Sequence, residues 1–409
     1  MSTNSILLLT KDAMAKAYLP CYGNKDYMGM TPNLDALVEK GTKFNAFFTA
    51  APSSSMSYLS MFTGKYPYEQ EMKTYIPLLK PYCGETLFDW ANQKGYSCHI
   101  MWDEHWYKMA YIYTRCYGDN TTIHYVNGLR QAVGPHVHNS QSLKRDDVVA
   151  IETLAKIEKE TKDIFSSTKK PVFLWCHLPH VLNGRTGYCD DIDLYDQYIG
   201  MFRRYFNDEN IFISSDHGNM NGHRGKIRYG FDVYDTAICI PLITPRLNNL
   251  CECNDTISNV DIGKILFDRI IPSRDFVYSD STYYAQPRRK LAVVWKNYRY
   301  IYNKETKREE LYDIETDPNQ EFSLMEDKVY DTDRKVYTLS RECYFYKRWE
   351  ELPEIRNYLR ERRNEIWRDV NFLQKKWLPI RDIILKIYIK KLLPFIKKKN
   401  HHTNDKKRC

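Results

Sequence analysis

Short apolar runs recur along the first two-thirds of the chain, separated by stretches with the three- and four-residue spacing of amphipathic helices. Strands buried on both faces read as unbroken apolar runs, so the alternation predicts an α/β domain with a largely parallel sheet. "SILLLT" reads as the first strand. "TPNLDALVEKG" reads as a helix, with Thr31 as N-cap, Pro32 at the first helical position and Gly41 beyond the end. "KFNAFFTA" reads as a strand, and the hydroxyl-rich helix start "AAPSSSMSYLSMFTG" follows it directly. "ETLFDWANQKGY" predicts a helix ending at Gly95, "SCHIMW" a strand, residues 146–165 a long helix and "PVFLWCHL" a strand. Residues 191–206 predict a helix, "NIFISSDHG" passes from strand to loop, and "TAICIPLIT" reads as a strand.

From about Asp275 the pattern changes. "RKLAVVWKNYRYIYNKETKREELYDIETDPNQ" alternates β-branched or aromatic residues with polar ones around a turn at "NKET", which predicts an antiparallel meander. After about Asp331 the chain becomes basic, aromatic and helical in pattern, with Trp349, Trp367 and Trp377. Pro379 and Pro394 bracket a further helix of about four turns. The expected organisation is a catalytic α/β domain over 1–274, an antiparallel-sheet subdomain over 275–330 and a helical tail over 331–409.

Composition adjusts this picture at three points. With 409 residues, 43% of them hydrophobic and 33 of them tyrosine, the chain can bury a large core and is not a disordered one. The N-terminal apolar run, Ile6 to Leu9, is too short for a secretory leader, and no run approaches a membrane span. A cytoplasmic protein is expected, and 11 scattered cysteines read as mostly free thiols. The net charge is +8, but residues 345–409 hold 19 Lys/Arg against 8 Asp/Glu, a net of +11 that leaves −3 for the rest. A basic tail on a slightly acidic body argues against a nucleic-acid-binding core. It fits contact with an anionic membrane surface or a polyanionic glycan, peripheral to the inner face of the membrane.

Functional groups of parallel α/β sheets gather beyond the carboxyl ends of the strands. Asp12 follows the first strand, Ser54 the strand ending near Ala50, and Asp216 and His217 follow "NIFISS". Each alone has a plain structural explanation: a helix cap for Asp12, a polar turn for Asp216–Gly218. Together, two carboxylates, an imidazole and a hydroxyl on one rim suit a divalent metal.

In order and spacing, "ILLLTKDAM", "CYGN", "TPNLDALVEKGTKFNAFFT", "APSSSMSYLSMFTGKYP", "FLWCHLPH", "ISSDHGNMNGHRGK" and "DTAICIPLI" resemble the sulfatases of the alkaline phosphatase superfamily. The resemblance covers residues 5–325. It implies a sulfatase-like α/β sandwich with a central, mostly parallel sheet and a small C-terminal antiparallel sheet. It also implies that Asp12, Ser54, Asp216 and His217 hold one divalent ion (Mg, Mn, Ca or Zn). Ser54 falls where sulfatases keep the Cys or Ser that becomes formylglycine. The family motif then runs Ser, Pro, Ser, Arg, whereas this chain has Ser55, Met56, Ser57 and Tyr58. A sulfate-contacting lysine is likewise replaced by Asp103, beside His105.

Two cationic sulfate contacts are therefore missing, and the resemblance shifts to the branch with an unmodified Ser or Thr nucleophile: phosphodiesterases, phosphatases and phosphoryl-group transferases. It implies catalytic roles for Ser54, His180 and His223, and substrate contacts from His105, His177, Arg224 and Lys226. The expected activity is metal-dependent cleavage of a phosphorylated donor by Ser54, with transfer to a surface glycan or lipid precursor. Simple phosphoester hydrolysis and, behind it, sulfuric ester hydrolysis are the alternatives. A catalytically dead glycan-binding scaffold is the reading from a different class.

Overall fold

The chain is seen in a computed structural model that describes residues 4–69 (save 26 and 28), 84–126 (save 103–116 and 119), 142–178, 188–226, 229–281, 290–325 (save 305), 328–331, 336–339 and 352–368. His105, His180 and the helix expected between Pro379 and Pro394 lie outside the described residues.

In chain order the α/β region holds β1 (Ile6–Lys11), α1 (Pro32–Lys40), β2 (Thr42–Phe44), β3 (Phe47–Phe48), α2 (Ser54–Thr63), α3 (Leu87–Gln93), β4 (Ser97–Trp102), β5 (Thr121–Tyr125), α4 (Ser142–Ser167), β6 (Val172–Leu178), α5 (Tyr188–Phe202), β7 (Ile211–Ser215), α6 (Asp235–Ile238), β8 (Leu242–Thr244), β9 (Glu252–Cys253) and β10 (Ile257–Ser258). The main sheet runs β5–β4–β6–β1–β7–β8–β2–β9. It is parallel from β5 through β7 and antiparallel where β8 meets β7 and β2.

Period-two alternation sends successive side chains of the central strands into two cores. Leu7, Leu9, Leu174, Cys176, Ile211 and Ile213 face one core, filled by Leu34 and Leu37 of α1, Ile157 and Ile164 of α4, and Ile199 and Phe202 of α5. Ile6, Leu8, Phe173, Trp175 and Phe212 face the other, filled by Tyr58, Leu59 and Phe62 of α2 and by Leu87 and Phe88 of α3. Unbroken apolar strands thus form the middle layer of a three-layer sandwich, and their carboxyl ends all open on one rim.

Four further strands, β11 (Val277–Asp280), β12 (Lys290–Trp295), β13 (Tyr298–Asn303) and β14 (Glu309–Asp313), make the antiparallel sheet expected from the meander. The "NKET" turn joins β13 to β14. At the start of the expected helical tail stands a hairpin, β15 (Lys328–Asp331) and β16 (Val336–Leu339), followed by α7 (Leu352–Arg368). Ile355 and Leu359 of α7 are buried against the four-stranded sheet. Arg360 reaches Glu309 of β14 with Nε at 2.7 Å. The first helix of the basic region is therefore part of the folded body. Among the described residues no helix is long and apolar enough to cross a membrane.

Three local readings changed in the structure. "KFNAFFTA" is two strands: β2 joins the main sheet and β3 pairs with β10, because the chain changes layers at Asn45–Ala46 and buries both Phe47 and Phe48. "TAICIPLIT" opens with the helical turn α6, since Pro241 has no N–H for a ladder and a short apolar run does not separate helix from strand. Thr31 makes no side-chain cap on α1. The carboxylate of Asp196, on α5, accepts the N–H groups of Asn33 and Leu34 at 3.0 and 2.8 Å instead, so the cap comes from a packed neighbour.

Candidate active site

The turn after β7 is tied to the turn after β1. Ser215 Oγ donates to Lys11 O (2.6 Å) and accepts from Met14 N–H (3.0 Å). Ala13, in the left-handed region at φ 57°, aims its N–H at Asp216 Oδ1, 3.0 Å away. Such a conformation is costly for alanine and is held here by burial on all sides. Gly218 follows His217 because a Cβ there would stand 2.1 Å from Thr236 O. The helix α2 is pinned to the same turn: Ser57 Oγ donates to Asp216 O (2.5 Å) and accepts from Asn259 Nδ2 (2.9 Å). Ser57 is thus a structural hydroxyl.

These ties bring Asp12, Ser54, Asp216 and His217 together, all buried. His217 Nε2 lies 3.1 Å from Ser54 Oγ, 3.4 Å from Asp216 Oδ2 and 3.7 Å from Asp12 Oδ1. His217 Nδ1 is 2.8 Å from Gly218 O, and a carbonyl only accepts, so the proton sits on Nδ1 and the Nε2 lone pair faces the carboxylates. Asp12 Oδ1 has no hydrogen-bond partner although it is buried. Three acceptor atoms facing one another, one of them orphaned, form a set that a cation would satisfy. Asp12, His177 and Asp216 also bring one ligand atom each within 4.8 Å of one another. The oxygen-and-imidazole donor set of this buried group could hold a divalent metal ion.

Burial raises the Asp216 carboxyl, but the imidazoles of His217 and His177, the Ala13 N–H and the Ser54 hydroxyl outweigh it and hold it below its ordinary value. His177 is held below its ordinary value by burial, against the opposing pull of Asp216 and Asp12, so its ring is neutral. A hydrogen-bonded set surrounds that ring. Trp175 Nε1–H donates to Thr10 Oγ1 (3.0 Å), and the Thr10 hydroxyl faces His177 Nδ1 (2.9 Å). The Tyr58 oxygen faces both His177 nitrogens (2.8 Å from Nδ1, 2.7 Å from Nε2), and the Tyr58 hydroxyl donates to Asp216 Oδ2 (3.1 Å). Burial pushes the Tyr58 phenol well above its ordinary pKa, with Asp216 and Asp12 adding to it, so it stays a neutral donor.

The basic loop lies elsewhere. His223 Nε2–H donates to Asn319 O (2.7 Å) and its Nδ1 faces Thr236 Oγ1 (3.1 Å). Arg224 donates to Gln320 O and lies over the rings of Tyr234 and Tyr312. Lys226 pairs with Asp232. The structure engages all three at the seam with the C-terminal subdomain. Two site residues were not singled out from the sequence for a role. Tyr58 was read only as a missing arginine. Tyr229, whose ring centroid is 4.4 Å from that of His217, carried no signal beyond its place in the loop after "DHG".

Comparison with known proteins gives the family and the fold. Residues 3–245 match the family described as Sulfatase. Among solved structures, a sulfatase candidate from Bacteroides thetaiotaomicron superposes with a TM-score of 0.64 at 13% identity, over 89% of this chain and 93% of its own. A 2-O GAG sulfatase gives 0.59 at 14%, over 90% and 93%. The phosphonate monoester hydrolase of Agrobacterium radiobacter gives 0.58 at 13%, over 88% and 96%. At such identities the structural likeness is one of fold, whereas the family match spans more than half of the chain. The chain belongs to the sulfatase family, within the alkaline phosphatase superfamily, and is a sulfatase-like, ester-cleaving enzyme.

Proposed function

We propose that the enzyme cleaves a phosphoester with unmodified Ser54 as nucleophile and passes the phosphoryl-linked group to a hydroxyl of a surface glycan or lipid precursor. The observation that carries this reading is the 3.1 Å contact of Ser54 Oγ with His217 Nε2, inside a ring of acceptors. Asp12, Asp216 and His217 would hold the metal, with His217 preferred to His177 because both His177 nitrogens already face hydroxyl groups. When bound, a divalent ion lowers the pKa of the serine hydroxyl and neutralises charge on the phosphoryl oxygens.

The chain's own groups do the rest. The 3.1 Å contact with His217 Nε2 sets Ser54 Oγ beside the group that would hold the ion. Ser54 Oγ gives up its proton to solvent and attacks phosphorus, the Oγ–P bond forms, and the leaving oxygen departs with the electron pair of its broken bond and takes a proton from water. Ser54 opens α2, whose N-cap, Ser53, makes no side-chain cap, so first-turn N–H groups stay free for phosphoryl oxygens. An acceptor hydroxyl, or water, then releases the group from Ser54.

Phosphate is favoured over sulfate by Tyr58. A neutral phenol stands in the arginine's place and is already committed to Asp216 and His177. The likeness to a phosphonate monoester hydrolase agrees that this fold serves phosphorus esters. The basic segment 369–409 would bring the enzyme to an anionic membrane surface. The test is Ser54→Ala, which should cut turnover of a chromogenic phosphodiester by at least about 10³-fold with the melting temperature kept. Mass spectrometry of the Ser54 peptide should show serine or phosphoserine. Retained turnover refutes the nucleophile, and a formylglycine mass returns the reading to sulfuric esters.

A further inference from the structure

The loop after His217 carries a charge imbalance where it meets the C-terminal subdomain. Asp232 is buried there, and two lysines converge on its Oδ1. Lys226, from the same loop, stands at 2.7 Å, and Lys290, the first residue of β12, stands closer still. One carboxylate neutralises one ammonium, so a buried pair would be complete with either lysine alone. The second charge is surplus.

The acidic groups described beside it are engaged otherwise. Lys226 lies over the Tyr234 ring at 5.2 Å, and Arg224 lies over the same ring at 4.8 Å. Glu310 accepts the hydroxyls of both Tyr234 and Tyr312, and Asp235 is paired with Arg299. Burial lowers the Lys226 pKa, against the pull of Asp232, and the neighbouring Lys290 ammonium adds to the lowering. The Lys226 side chain keeps 37% of its surface in solvent, so the cluster is open to a ligand.

A short stretch of chain joins the cluster to the reacting centre. Asp232 is three residues from Tyr229, whose ring lies against His217. An extended chain puts their Cα atoms at most about 11 Å apart.

We propose, building on the phosphoester reading, that Lys226 and Lys290 form a subsite for a second anionic group of the substrate: a phosphate or carboxylate on the part remote from the reacting phosphorus. Asp232 holds the two ammonium groups together and leaves one positive charge for the incoming anion. Lys290 brings the C-terminal subdomain into substrate recognition, a role that no motif in the meander suggests.

Binding of two small probes to the full chain tests this without turnover: propane-1,3-diol bisphosphate and propyl phosphate, compared by calorimetry. The wild type should bind the bisphosphate about tenfold more tightly, the effect of one added charge-assisted contact. Lys290→Gln should bring that ratio close to one, and Lys290→Arg should keep it. Should Lys290→Gln fail to fold, Lys226→Gln, which leaves the Lys290–Asp232 pair, serves in its place. Equal affinities in the wild type, or a ratio untouched by the glutamine variants, overturn the subsite. Because the readout is binding, a chain that shows this ratio but cleaves no phosphoester sinks the phosphoester reading and leaves the subsite standing.

Discussion

Two histidine clusters in the α/β region, one buried and one at the half-buried sheet edge, differ in how their hydrogen bonds are ordered. At the sheet edge, Ser97, His99, His124 and Glu160 form a line. Ser97 Oγ faces His99 Nε2 (2.9 Å), His99 Nδ1 faces His124 Nε2 (2.9 Å), and His124 Nδ1 faces Glu160 Oε2 (3.3 Å). Every acceptor there meets a donor, and the line ends at a partly exposed carboxylate. At the rim, Asp12 Oδ1, Asp216 Oδ2 and His217 Nε2 face one another. A line of alternating donors and acceptors is complete with its own protons. A convergence of acceptors needs a cation, and that difference, rather than the histidine count, separates scaffold from site.

The sharpest way to break the comparison is to supply the missing donor. Asp12→Asn places an amide where the orphaned oxygen stands. It should abolish divalent-ion binding, measured by elemental analysis after dialysis. It should also stabilise the ion-free protein by about 1–3 kcal/mol, the worth of a satisfied buried group, read from urea unfolding. Glu160→Gln, at the solvent end of the line, should change stability by no more than about 0.5 kcal/mol. An ion-free Asp12→Asn protein weaker than wild type would mean that the rim is satisfied as it stands.

Tyr58→Phe sharpens the same contrast with a smaller effect. The ring contacts with Trp102 and Trp175 stay, but His177 loses an acceptor and Asp216 Oδ2 a donor. A loss of about 1–2 kcal/mol in unfolding free energy is expected. A stability equal to wild type would show that the hydroxyl orders nothing.

The sequence made the rim legible and left its wiring dark. Asp12, Asp216 and His217 could be singled out because strand ends in a parallel sheet converge, and Ser54 because it opens a helix where the family resemblance puts a nucleophile. The proton on His217 Nδ1 depends on how the turn aims the next residue's carbonyl, Gly218 O, which no sequence pattern records. Tyr58 shows the limit from the other side: its identity told against a sulfate contact, but its bonds to Asp216 and His177 needed the fold. His223 and Arg224 were assigned by their place after "DHG", and their partners Asn319 and Gln320 lie almost a hundred residues on, beyond any spacing rule. The split of "KFNAFFTA" escaped for a related reason, since apolar periodicity does not say which sheet a strand joins.

The smallest effect concerns the line itself and comes from pH. His99 is held down to about 4, first by burial and then by its neighbour His124. An unfolded histidine titrates near 6.5, so between about pH 6.5 and 4 the unfolded chain binds a proton at this position that the folded chain refuses. Stability is therefore complete above about pH 6.5, falls as pH drops through the window, and levels off below it. The groups that face His99 are Ser97, His124 and, through His124, Glu160 on α4. His99→Gln removes the titrating ring and keeps a group that can donate and accept. Urea unfolding at pH 7 and pH 5 should show a smaller loss between the two for the variant than for the wild type. The rim's contribution, His177 included, is common to both proteins and cancels in the difference. Equal losses would mean that the edge line accepts a proton as readily folded as unfolded, and the contrast between a closed line and an open convergence would then rest on the rim alone.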